Sequence, residues 1–187
     1  MNALFWFSYG LLWVLLAVVA LSVLALYHHF GQTYLTSREG RESQGPAEGA
    51  PLRRTEATDL DGVPVLLPPR GSPALLVFTS TTCPVCEAIR LELVQVARDE
   101  PGVPVYVFCH GSTRAVREWA GELADVATVV ADQRLRLTTR YDVAMTPFAI
   151  AVGSNGAVRA RGIVNDGDRL RMLAGAAQEA QNLEGVR

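Results

Sequence analysis

The chain has 187 residues, with 17 basic and 19 acidic side chains and a formal net charge of −2. That length suits one ordinary domain plus an appendage, and the near balance of charge argues against nucleic acid as a partner. Three cysteines are too few for a secreted disulfide framework, so a close pair among them points to chemistry and not to stapling.

No charged side chain occurs before Arg38. From Leu4 to Tyr27 the run is apolar apart from Ser8, Gly10 and Ser22. At ~1.5 Å per residue it is long enough to cross a hydrocarbon core of ~30 Å. Trp6, Tyr9 and Trp13 near one end, and Tyr27, His28, His29 and Tyr34 near the other, fit interfacial belts. A cleaved signal peptide is the alternative, but no basic region precedes the run and no Ala-x-Ala site follows it. A lipid-anchored chain would need a cysteine at the end of the run, and there is none. Residues 1–30 are therefore expected to form one transmembrane anchor. Arg38 and Arg41 lie beyond it and, taken alone, bias the C-terminal part towards the cytoplasm, although Glu39 and Glu42 alternate with them.

Residues 31–55 are rich in Gly, Pro, Ser, Glu and Arg, with few large apolar groups. Such a stretch buries too little surface to fold alone and is expected to be a flexible linker. The globular domain is then expected over residues 56–187.

Residues 58–67 predict a hairpin turning at Asp61-Gly62. The apolar run Ala74–Phe78 predicts a buried strand. A helical period follows over residues 86–98, with Ile89, Leu93 and Val96 on one face. Val103–Phe108 predicts a second buried strand. Ser112 is a candidate cap for a helix running to about Leu123. Val126–Val130 predicts a third strand, and 133–139 a short helix. Phe148–Val152 and 157–164 predict a hairpin around Ser154-Asn155-Gly156, and 166–183 a closing helix with Leu170, Leu173 and Ala177 inward. The fold class is α/β, a mixed sheet flanked by helices on both faces.

Between the first buried strand and its helix lies Thr79-Ser80-Thr81-Thr82-Cys83-Pro84-Val85-Cys86. Cys83 falls at or before the first helical turn, where free backbone amides and the helix dipole favour negative charge. The thiolate is the reactive form of cysteine, so the placement suits a nucleophile. Cys86 lies three residues on, within reach of a disulfide, and Pro84 suits the first turn. Half of a zinc site is a second reading, but the other nearby candidate ligands, Cys109 and His110, are strand neighbours that should point to opposite faces. Inert packing is a third, against which stands the polar character of the turn. A Cys-x-x-Cys pair beside a strand–helix pattern reads first as a redox dithiol.

Thr146-Pro147 directly precedes a strand. The plain reading is a proline at a strand's first residue. The sharper one is a cis bond presenting the Thr146 backbone to the sulfurs, where its N–H and C=O can pair with a substrate chain. Cys109 is the spare thiol. Its ordinary role is a small apolar residue in a strand, and a redox role close to the dithiol is the alternative.

Strand, Thr-Thr-Cys83-Pro-Val-Cys86, helix, and Met-Thr146-Pro147-Phe before a hairpin together resemble the thioredoxin superfamily, over about residues 56–183. The leading Asp59-Leu-Asp-Gly62 hairpin resembles its membrane-tethered, TlpA-like branch. The anchor, the tether and Cys-Pro-Val-Cys together resemble the MauD-type accessory proteins of methylamine utilisation. The resemblance implies that Cys83 attacks, Cys86 resolves, and Thr146, Pro147, Thr82, Pro84 and Val85 contact substrate, with no metal and no cofactor. It implies a membrane-anchored thiol-disulfide oxidoreductase acting outside the cytoplasm, on disulfides of the small subunit of methylamine dehydrogenase. Its partners are then a thiol- or disulfide-containing protein, a membrane or soluble redox partner, and the lipid bilayer.

Three positions depart from the cytoplasmic thioredoxin pattern. Thr82 stands where tryptophan is usual, Val77 where a buried acid assists the resolving thiol, and Pro-Val where Gly-Pro is usual. Two other functions compete. A peroxidase of the peroxiredoxin kind shares the fold, but Leu76 occupies the place of that family's proline. A non-catalytic assembly factor would use only the Thr146-Pro147 groove.

Overall fold

A computed structural model describes residues Trp6–Val23 and Gln44–Glu184. The chain divides into two compact units, Met1–Ser43 and Gln44–Arg187. In the first, α1 spans Trp6–Val23 with a mean hydropathy of 2.1 and every side chain exposed. Trp6, Tyr9 and Trp13 follow a helical spacing that puts them on one face, with edge-on ring contacts at 6.4 and 6.3 Å. Its length and composition are those of a membrane-crossing or signal helix. The expected ends of the span, the second aromatic belt, Arg38, Arg41 and linker residues 31–43 lie outside the described residues.

The second unit is built on a five-stranded sheet in the order β5-β4-β3-β6-β7. The strands are β3 (Ala74–Ser80), β4 (Val105–His110), β5 (Thr128–Ala131), β6 (Phe148–Val152) and β7 (Val158–Ile163). β3, β4 and β5 run parallel, and β6 and β7 are antiparallel additions. All seven residues of β3 are buried, because helices or loops cover both faces of this central strand. On one face, Leu75, Val77, Val107 and Cys109 pack with α2 (Pro84–Asp99), α3 (Thr113–Ala120), α4 (Leu123–Val126) and α6 (Gly167–Glu184). On the other, Leu76, Phe78, Phe108 and Phe148 pack with Leu137 and Tyr141 around α5 (Arg136–Arg140). Phe78, Phe108 and Tyr141 form an aromatic cluster with centroids 5.0–6.3 Å apart.

The hairpin β1 (Thr55–Thr58) and β2 (Pro64–Leu67) is a separate two-stranded sheet. Its turn is held by Asp59, whose Oδ1 accepts from Asp61 N at 2.9 Å and Val63 N at 2.8 Å. The single helix expected from Ser112 to Leu123 is two helices. Gly121, at φ +47°, ends α3 and lets α4 start in a new direction.

The stretch expected to be linker up to residue 55 is folded from Gln44 onward. Gly49 N donates to Val158 O at 2.8 Å, Val158 N to Ala50 O at 3.0 Å, and Leu52 N to Gly156 O at 2.9 Å. The segment thus covers the start of edge strand β7, and Leu52 is buried in the α5-side core. Gly45 passes over the Phe148 ring, where an added Cβ would sit 2.9 Å from ring carbon at φ +79°. Composition hid this, since backbone pairing to an edge strand needs no apolar run.

Two registers position the site. Phe78 pairs with Phe148, so the loop before β6 emerges beside the end of β3. Ser80 pairs with His110, so the end of β4 lies on the other side.

Candidate active site

β3 ends at Ser80 and α2 begins at Pro84, leaving Cys83 as the N-cap in extended conformation, φ −94° and ψ 114°. Pro84 occupies the first turn, where its missing N–H leaves no bond unmade. The Cys83 Sγ accepts from Cys86 N at 3.2 Å, as a cap oxygen would. Cys83 N donates to Ser80 O, and Glu87 N to Cys83 O, both at 3.2 Å.

The turn is pinned from below. Thr81 N and Oγ1 donate to His110 O at 3.0 and 3.3 Å. Ser80 Oγ accepts from Thr82 N at 3.3 Å and shares a 3.1 Å bond with the Thr82 hydroxyl. Gly111 makes room beside it, since a Cβ there would fall 2.8 Å from Thr81 Oγ1, at φ +155°. His110 itself turns Nδ1 to Asp132 O at 3.2 Å.

The Thr146-Pro147 bond is cis, and the Cys83 thiol donates to Thr146 O at 3.8 Å. Pro147 is buried and its carbonyl accepts from Val164 N at 3.1 Å. Thr146 is half-buried, and its N–H has no partner among the described residues. The two sequence motifs, 63 residues apart, therefore meet at one sulfur. Thr82, Pro84 and Val85 are exposed on the turn, and Met145 on the facing loop. Val85 and Met145, each 42% exposed, give this rim an apolar character.

Cys86 is fully buried, and both cysteines are free thiols. Burial pushes the Cys86 thiol up to about 12, with Cys83 adding to the rise. The Ser80 backbone and the Thr146 side chain pull the other way. No carboxylate is among the groups acting on it. Val77 lies in the same core cluster, and Glu87 is exposed and paired with Arg90 Nε at 3.3 Å.

Cys109 belongs to that cluster too. It is fully buried and opposite Thr79 across β3 and β4. Burial raises its thiol to about 11; the Thr79 hydroxyl opposes that and the Cys83 charge adds to it. The Thr79 Oγ1 makes no hydrogen bond of good geometry among the described residues, so its hold on Cys109 is weak. No group of three His, Cys, Asp or Glu side chains converges among the described residues.

Sequence reasoning passed over Ser80, Thr81 and Gln44. The hydroxyl run beside Cys83 was a signal for the first two. Gln44 had none, because its Oε1 reaches Ala144 N and Met145 N across a separation of about a hundred residues.

A family model described as a thioredoxin-like domain matches residues 64–178. The methylamine utilization protein MauD of Methylobacillus flagellatus is 28% identical over 133 residues, covering 69% of this chain and 63% of that protein. MauD of Paracoccus denitrificans is 26% identical over 171 residues, covering 87% of this chain and 84% of that protein. A secreted disulfide oxidoreductase of Mycobacterium tuberculosis superposes with a TM-score of 0.58 at 25% identity, covering 65% of this chain and 95% of that one.

Proposed function

The chain belongs to the thioredoxin-like family, and from that premise we propose that it is a membrane-anchored thiol-disulfide oxidoreductase working through Cys83 and Cys86. The observation that carries this reading is the position of the Cys83 sulfur. It lies at a helix N-terminus, in contact with both Cys86 N and Thr146 O.

As a thiolate, Cys83 attacks one sulfur of a partner's disulfide. A bond forms between Cys83 and that sulfur, and the partner's other sulfur leaves as thiolate. Cys86 then gives up its proton and attacks the Cys83 sulfur. The Cys83–Cys86 disulfide forms and the partner departs with both sulfurs reduced. Run backwards, the same steps oxidise a partner dithiol. The partner's chain lies along the Thr146 backbone edge as an added strand, over the rim of Thr82, Pro84, Val85 and Pro147.

The order of attack follows from exposure. Cys83 is partly exposed, whereas Cys86 is fully buried and its thiol is held up at about 12. No carboxylate among the described residues assists Cys86, so resolution is the slow step and quickens with rising pH. The substitution Cys86→Ala therefore accumulates a mixed disulfide between Cys83 and the partner, visible on a non-reducing gel and identifiable by mass. Absence of any adduct in cells carrying this variant counts against the proposal. Full function of the Cys83→Ser, Cys86→Ser double variant in cells would identify a binding factor instead.

The similarity to MauD extends the proposal to a partner. We read the substrate as a disulfide-bearing protein of methylamine utilisation, the small subunit of methylamine dehydrogenase first. The helix α1 anchors the chain, and the domain faces the oxidising side of the membrane, where stable disulfides persist. A reporter fused after Arg187 that is active only in the cytoplasm would reverse that orientation.

A further inference from the structure

Gln44 opens the folded unit and is 5% exposed. A buried amide side chain is costly unless its polar atoms are bonded. Here only half of it is. The Oε1 accepts from two consecutive backbone amides, Ala144 N and Met145 N, each at 2.9 Å. The Nε2 has no partner among the described residues. An apolar side chain of the same size would fill the space without an orphaned donor, so packing does not account for glutamine. What glutamine adds is a grip on the two residues that precede Thr146.

Neighbouring contacts make that grip firm. Gly45 N donates to Asp142 O at 2.7 Å, and Arg161 Nη1 donates to Gly45 O. On the far side of the loop, Val164 N holds Pro147 O. The loop is therefore clamped on both flanks of Thr146. Between the clamps, the Thr146 N–H is left without a partner among the described residues while its carbonyl meets Cys83.

We propose that Gln44 is a positioning residue for disulfide exchange: through Ala144 and Met145 it fixes the Thr146 backbone edge on which a protein substrate aligns beside Cys83. This rests on the exchange activity proposed above. A polypeptide needs that edge, whereas a small disulfide needs only the Cys83 sulfur. Misplacing an aligned group by about 1 Å slows reaction even when the reacting atoms are untouched.

The test uses the full-length chain, with insulin as the protein disulfide and bis(2-hydroxyethyl) disulfide, which has no peptide group, as the small one. Gln44→Met keeps the volume and removes the acceptor. It is expected to slow insulin reduction by about tenfold or more, mainly through KM, and to leave bis(2-hydroxyethyl) disulfide within about twofold of the unaltered chain. Gln44→Glu keeps an acceptor for both amides and is expected to stay within about threefold on insulin. In the unaltered chain, the Ala144 and Met145 amides should exchange with deuterium about 100-fold more slowly than in a free peptide.

The proposal is overturned if Gln44→Met matches the unaltered chain on insulin, or slows both substrates equally. It is overturned as well if Gln44→Glu falls as far as Gln44→Met, or if the two amides exchange at free-peptide rates. Should Gln44→Met not fold, the glutamate variant and the amide exchange decide. An unaltered chain inactive on both disulfides sinks the exchange reading itself, a result distinct from all of these.

Discussion

Cys86 and Cys109 hold their protons more tightly than free thiols, up to about 12 and about 11, because both are buried. The unfolded chain gives up those protons from about pH 9 upward. Stability drawn from the neutral, buried thiols is therefore whole below about pH 9 and is lost as pH rises towards the folded values. The urea midpoint of the reduced protein is expected to fall between about pH 9 and pH 10.5. Cys86→Ala and Cys109→Ala should each remove about half of that fall. A flat midpoint in the unaltered protein would contradict the burial of both thiols. The spacing of Cys83 and Cys86 was legible in the sequence, because a strand, a turn and a helix start are local features. The pairing of Cys109 with Thr79 was not, since it depends on the register of β3 and β4.

At the scale of elements, the turns and caps decide what the strands present. Asp132 is buried, and its Oδ2 accepts from Leu137 N, Thr138 N and Thr138 Oγ1 at 2.8–3.1 Å, holding the start of α5. Asp132→Ala frees those donors and is expected to cost roughly 2 kcal/mol, read as a lower urea midpoint. Gly45→Ala meets both the Phe148 ring and a positive φ. Its expected cost is about 2 kcal/mol by the same measurement, and a neutral result would mean that the segment from Gln44 is not seated on β6. The order of strands and helices could be read from apolar periods and Gly/Pro punctuation. The split at Gly121 and the separate sheet of β1 and β2 could not, because neither leaves a mark on the hydrophobic pattern.

At the scale of the whole molecule, the folded unit runs from Gln44, so its N-terminal segment is part of the fold and not spacer. A chain beginning at Gln44 is expected to melt cooperatively. One beginning at Glu56 loses the burial of Leu52 and the pairing of residues 49–52 with β7, and should be less stable by about 3 kcal/mol or more. Equal melting temperatures would return the segment to the tether. The sequence by itself determined the apolar N-terminal helix, the mixed α/β class, the dithiol at a helix start and the proline before a strand, because each is written in neighbouring residues. Only the tertiary structure decided that Thr146 faces Cys83, that Cys86 and Cys109 share one buried cluster, and that Gln44 grips the loop between. Those meetings depend on strand order and register, which join residues that are far apart along the chain.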